Sequence, residues 1–337
     1  MIRTRLVITV LMLLTAHSVW PQDKPSLSEV DRIRLAEAFR LAESLGNRVW
    51  KDWDKAPFAV LLVTPEYEFL IRHPRPSKDF TPIGYDSMLK SDVYFRKRKF
   101  PTDRLATFPA VGGVSTIVIG RAENTDKKTS TPWVITMLHE HFHQLQDSQL
   151  NSYAETEALN LSHGDQTGMW MLNYAFPYDS AEVKQQFSVL SRLLVEALQA
   201  KKKSAFSTRL AAYLEARRQV QKMLSPDDYK YFSFQLWKEG LARYTEYRVA
   251  KLAAHKYKPS KQFRALKDFA SFGTVADQIL STIMKVLSTL RLEDSKRVAF
   301  YPLGAGEGFL LDRANPKWQS RYFVDKFYVE KYFDAAK

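Results

Sequence analysis

The sequence predicts an α+β fold of two lobes, a small mixed sheet followed by a mostly helical segment. Three observations predict it. Residues 23–128 combine one helical stripe with several short strand-like runs. Residues 129–337 switch to helix after helix. No internal repeat or long low-complexity tract interrupts either part, and 45% hydrophobic with 26% charged residues in a chain of 337 is an ordinary globular balance. The polar, turn-rich stretch at 124–130 reads as a link between two lobes of one catalytic domain.

The elements follow in chain order. Residues 1–22 read as an export signal: Arg3 and Arg5, an apolar run over 6–14 broken by Thr9, then Ala16-His17-Ser18 at the spacing a signal peptidase reads. The run is short for a bilayer span, which weighs against an uncleaved anchor. A periplasmic or secreted protein is expected. Residues 27–45 carry an apolar helical stripe (Ile33, Ala36, Phe39, Leu41, Leu45), with Gly46 as the expected stop. Residues 58–63 and 67–71 read as strands around a Thr64-Pro65 turn. Further strands are expected at 92–96, 105–108 and 115–119, punctuated by Gly112-Gly113 and Gly120. Val183, Phe187, Leu190, Leu194 and Leu198 keep one helical face apolar, and Leu210, Tyr213, Leu214 and Val220 another. Ser225-Pro226-Asp227-Asp228 supplies a cap, a first-turn proline and acids at the positive end of a helix expected to reach about 254.

Composition narrows the chemistry. There is no cysteine, so disulfides and thiolate metal sites are excluded and any metal must use His, Asp or Glu. The formal charge is +13, of which Arg3 and Arg5 in the first 22 residues account for two. The excess is spread over residues 96–99, 201–203 and 251–261 without a nucleic-acid motif. It reads as a solvated cationic surface, with weak association with anionic surfaces as the partner it favours; no nucleic-acid partner is expected.

His139-Glu140-His141-Phe142-His143 satisfies H-E-x-x-H. On a helix, His139 and His143 lie on one face and can reach one ion, with Glu140 beside them as general base. Thr131 as cap, Pro132 as first residue, and the apolar spacing of Val134, Ile135, Leu138, Phe142 and Leu145 support a helix. On a strand, all three histidines would face one way; the helical spacing weighs against that alternative. His141 then turns away from the pair, as a supporting or surface residue. The third ligand is expected from a second helix. Glu239 is preferred, and Glu155 and Glu157 are rivals in a polar stretch. Glu246, two turns after Glu239, is placed to support a zinc histidine.

Glu239 lies in Trp237-Lys238-Glu239-Gly240-Leu241-Ala242-Arg243-Tyr244, and with H-E-x-x-H it resembles the gluzincin-type zinc metallopeptidases. The resemblance is confined to these two short motifs. It implies a zincin-like two-lobed fold, zinc held by His139, His143 and Glu239, and peptide-bond hydrolysis by a metal-activated water with Glu140 as base. It further implies a peptide or protein substrate laid along an edge strand, expected at 115–119, and a Tyr or His proton donor, for which Tyr244, Tyr247 and Tyr301 are available. The small residues beside Glu239 are expected to let its helix approach the metal helix closely, and a final apolar helix after Tyr301 is expected beneath the site. The alternative is an exported zinc-binding or anionic-surface-binding protein without turnover.

Overall fold

The computed structural model describes residues 25–334. The proposed export signal lies outside them. Helix α1 spans Glu29–Val49, capped by the Ser28 hydroxyl, which accepts from the Asp31 N–H. It runs through Gly46 instead of stopping there. A glycine ends a helix only where the chain turns left-handed, and here the turn-off comes at Trp50, in extended conformation.

Six strands follow: β1 Val60–Val63, β2 Tyr67–Ile71, β3 Thr81–Asp86, β4 Ser91–Lys97, β5 Leu105–Val111 and β6 Val114–Gly120. They form one mixed sheet in the order β3-β4-β2-β1-β6-β5, parallel between β1 and β6 and antiparallel elsewhere. β3 is absent from the sequence reading because Pro82 and Gly84 break its pattern; it sits at an edge and carries a bulge between them. The expected edge strand, 115–119, is a correction. It belongs to β6, buried along nearly its whole length between β1 and β5, and the edge is β5. Gly112 and Gly113 turn the β5–β6 hairpin with φ of +54° and +71°.

The rest is helical: α2 Ser130–Asp147, α3 Ser152–Glu157, α4 Trp170–Asn173, α5 Ala181–Gln199, α6 Lys203–Met223, α7 Pro226–Gln235, α8 Leu241–Lys256, α9 Lys261–Arg264, α10 Phe272–Ser288, α11 Leu292–Ser295, α12 Phe300–Ala314 and α13 Lys331–Asp334. Helix α2 starts two residues earlier than expected, with Thr129 at the cap position and no capping bond from its side chain. Thr131 lies inside it and its hydroxyl donates to the Ala270 carbonyl at 2.8 Å. The expected helix from 226 to 254 exists as α7 and α8, joined by a π-helical segment, Leu236–Gly240. There the Leu241 N–H reaches the Leu236 carbonyl, five residues back.

One buried core runs through α1, the helix-facing side of the sheet and the helices, from Leu41 and Phe69 to Phe142, Trp237 and Leu311. A smaller cluster, including Leu61, Leu70 and Val118, covers the other sheet face. Gln144 ties α2 to the sheet: its amide donates to the Ala59 and Ser115 carbonyls, each at 2.9 Å. Among the described residues no helix is long and apolar enough to cross a membrane.

Gly240 packs backbone to backbone on α12, while α8, which carries Ala242, packs on the metal helix α2. A Cβ at Gly240 would stand 2.5 Å from the Gly304 Cα, and one at Gly304 would stand 2.7 Å from the Gly240 Cα. Neither neighbour can yield without moving a helix. Gly304→Ala is therefore expected to cost about 1–3 kcal/mol of stability in urea unfolding. Gly273→Ala, whose new methyl would meet only ordinary contacts at 3.6 Å or more, should be neutral or slightly stabilising, because alanine favours a helix. Equal effects of the two substitutions would contradict this packing.

Candidate metal centre

His139, Glu140 and His143 lie in the middle of α2, and all three are buried. Glu239 reaches them from the π-helical segment. The three ligand atoms converge. His139 Nε2 and His143 Nε2 are 3.1 Å apart, and Glu239 Oε2 is 3.6 and 3.4 Å from them. Tetrahedral zinc with bonds near 2.0–2.1 Å places its ligands about 3.3 Å apart. The set fits the ion without rearrangement.

The hydrogen bonds fix which ring nitrogens carry protons. The Gln146 amide nitrogen donates to the Lys238 carbonyl at 3.1 Å, so its oxygen faces His143 Nδ1 at 2.6 Å. That nitrogen must be the donor. Glu246 Oε1 lies 2.7 Å from His139 Nδ1, an ion-pair contact off hydrogen-bond alignment but close enough to favour a proton on that nitrogen. In the neutral rings both Nε2 atoms are then lone pairs pointed at each other. Without a proton or metal ion between them, they repel. This is the arrangement in which outer partners set tautomer and basicity for a metal. Arg243 in turn donates to Glu246 Oε2 at 2.6 Å.

The electrostatics agree. Burial disfavours a charged His139, but Glu239 and Glu246 outweigh it and raise the imidazole to about 9. Burial also acts on Glu246, and Arg243 overrides it, holding the carboxylate down at about 2. Glu239 is opposed by burial too, yet the His143 and His139 charges pull it well below the ordinary range. The cluster holds a proton that a divalent ion would displace.

His141 turns away from the ligand pair, and of the two expected places, supporting or surface, it takes the interior one. It is buried, not at the surface, with its ring stacked on Phe58 at 3.8 Å and its Nδ1 2.9 Å from the Gln144 oxygen. Burial drives its pKa down to about 4. Glu155 and Glu157 sit on α3, outside the cluster, and Glu155 pairs with Lys326.

Other residues complete the site. The Thr107 hydroxyl, on edge strand β5, donates to Glu140 Oε2 at 2.7 Å. The Tyr301 ring lies parallel to His139 at 6.4 Å, and its hydroxyl accepts from Arg297 at 2.7 Å. Burial and the Glu239 charge keep this phenol well above its usual pKa. Tyr244 is instead tied to Asp312 at 2.8 Å, and Tyr247 lies in contact with Lys251. Thr107 and Arg297 carried no sequence signal, since neither belongs to a motif. A cavity of about 400 Å³ between α2, α8, α10 and α12 borders the site through Thr136, Arg243, Glu246 and Tyr301, with Ile135, Val275, Ile279 and Ile283 among its walls.

No family model, curated protein or solved structure matches this chain.

Two outcomes follow from these charges. Because metal must displace the His139 proton, zinc affinity measured by chelator competition should rise about tenfold per pH unit between pH 6 and 8. An affinity that does not change with pH would contradict the protonated cluster. For His141 the folded pKa is depressed, so its neutral form stabilises the protein fully above the unfolded value of 6.5. That contribution fades as pH falls toward 4. The metal-free wild type should lose about 2–3 kcal/mol more than His141→Phe between pH 7 and 4.5. Parallel pH profiles in urea unfolding would refute the assignment.

Proposed function

We propose that the chain is a zinc-dependent peptidase of the gluzincin type, exported to the periplasm or beyond, with a zincin-like two-lobed fold. The observation that carries the reading is the convergence of His139 Nε2, His143 Nε2 and Glu239 Oε2, with Glu140 beside them and its carboxylate held by Thr107. Two histidines and a glutamate are the donor set of a catalytic zinc with an open position. Zinc bound there would polarise a water and lower its pKa toward neutrality.

The chain's own residues then divide the work. Glu140 takes the proton of the attacking water and passes it to the leaving amine. The Thr107 bond fixes the carboxylate in the orientation that both transfers need. Tyr301, kept protonated by burial, donates its O–H toward the oxygen of the peptide carbonyl as that oxygen gains charge. Glu246 and Arg243 hold the His139 ring in place. Among the described residues no strand pairs with the outer side of β5, the strand that carries Thr107. An extended peptide added there would pass Glu140. The cavity beside Tyr301 offers an apolar recess for a substrate side chain.

Glu140→Gln should keep one zinc per chain and lose peptide hydrolysis by at least a thousandfold, since the base alone is removed. Thr107→Val should retain zinc and lower kcat roughly ten- to a hundredfold with little change in KM, with Thr107→Ser recovering most of it. Tight zinc binding by the wild type with no cleavage across a broad peptide library would overturn the peptidase reading.

A further inference from the structure

Among the described residues, Arg297 has a longer ion pair than the other arginines sunk in this protein. Arg34 meets Glu123 at 2.7 Å, Arg96 meets Glu68 at 2.7 Å, Arg217 meets Glu307 at 3.0 Å and Arg243 meets Glu246 at 2.6 Å. Arg297 is only 20% exposed, and its nearest carboxylate oxygen is Glu239 Oε1 at 3.8 Å. Its hydrogen bond goes to a neutral group, the Tyr301 hydroxyl at 2.7 Å. Glu239 turns its other oxygen, Oε2, to the two histidines, so the charge nearest Arg297 is already shared with the metal position. A guanidinium largely withdrawn from water is costly unless it meets an anion. Beside a dication it is also repelled.

The backbone holds it there at some expense. Lys296, the preceding residue, has φ +46° and ψ −133°, a conformation that side chains other than glycine rarely adopt. This turn follows α11 and places Arg297 one helical turn before Tyr301, so that both side chains reach the same side of Glu239. A strained turn, an under-paired guanidinium and a buried phenol meet at one point beside the metal cluster.

We propose that Arg297 and Tyr301 together form an oxyanion-binding pair, in which Arg297 contacts an anionic oxygen that the substrate brings. The ligand chemistry is a substrate oxyanion. It has two sources: the oxygen of the attacked carbonyl, or the free carboxylate of a substrate's C-terminus. The first makes Arg297 a catalytic residue and the second a specificity residue for exopeptidase cleavage. The inference rests on the peptidase reading for the substrate and on the metal cluster for the place.

The test is ligand binding to the zinc-loaded full chain, measured by calorimetry. The probes are a phosphinic tripeptide with phenylalanine and leucine flanking the phosphorus, in free-acid and amide forms, and a C-terminally amidated thiol ligand of matching side chains. Arg297→Met should keep one zinc and weaken the free-acid phosphinic ligand at least tenfold, while thiol binding changes less than twofold. Arg297→Lys, which keeps the charge, should recover most of the loss. A loss shared by acid and amide identifies the carbonyl oxygen as the source, and a loss confined to the acid form identifies the C-terminal carboxylate. Unchanged phosphinic binding in Arg297→Met overturns the proposal, as does an equal loss for phosphinic and thiol ligands, which would mark a merely structural role. A wild type that binds no phosphinic ligand also overturns it. If these ligands bind as described while no peptide is cleaved, the anion site stands and the peptidase reading falls.

Discussion

Two imidazole nitrogens 3.1 Å apart, with both lone pairs forced inward, are the constraint on which the rest of the site depends. His139 and His143 cannot relieve the repulsion by changing tautomer. Gln146 and Glu246 claim their outer nitrogens, and the partners of those residues, Lys238 and Arg243, prevent either from turning. In the absence of metal a proton answers the repulsion, which is why the surrounding carboxylates hold His139 protonated to about pH 9. A divalent ion answers it better, because it can use both nitrogens and Glu239 at once.

The fold serves this arrangement through close packing. The π-helical segment adds a residue to the turn carrying Glu239, and the Gly240–Gly304 contact lets α12 come against it backbone to backbone. That contact brings Tyr301 and Arg297 to the same carboxylate that faces the histidines. On the other side Gln144 locks α2 to β1 and β6, which sets edge strand β5 beside Glu140. The metal ligands, the base and the candidate anion site thus come from four elements whose spacing is fixed by backbone contacts. Long side chains alone would hold them less firmly.

What was legible in the sequence was local. The spacing of His139 and His143 needs only a helix to bring them together, and apolar periodicity identified that helix. β2 was readable to its end residues, because its apolar run stands between clear turn signals. Glu239 was reachable only through the resemblance of its neighbourhood, since five helices separate it from α2. β3 was invisible because Pro82 and Gly84 erase its alternation. The edge position of β5 depends on a parallel pairing of β1 with β6 that no local pattern reveals. The choice between interior and surface for His141 was unreadable for a related reason: the aromatic pocket that buries it, Phe58 with Trp53, comes from the far N-terminal part of the chain. Thr107 and Arg297 are single polar residues whose role exists only in three dimensions.

The most direct measurement is a crystal structure of the zinc-soaked protein with anomalous data collected on both sides of the zinc absorption edge. One strong peak is expected about 2.0–2.2 Å from His139 Nε2, His143 Nε2 and Glu239 Oε2, with an open position facing Glu140. No peak there, or a peak coordinated without Glu239, would contradict this metal centre.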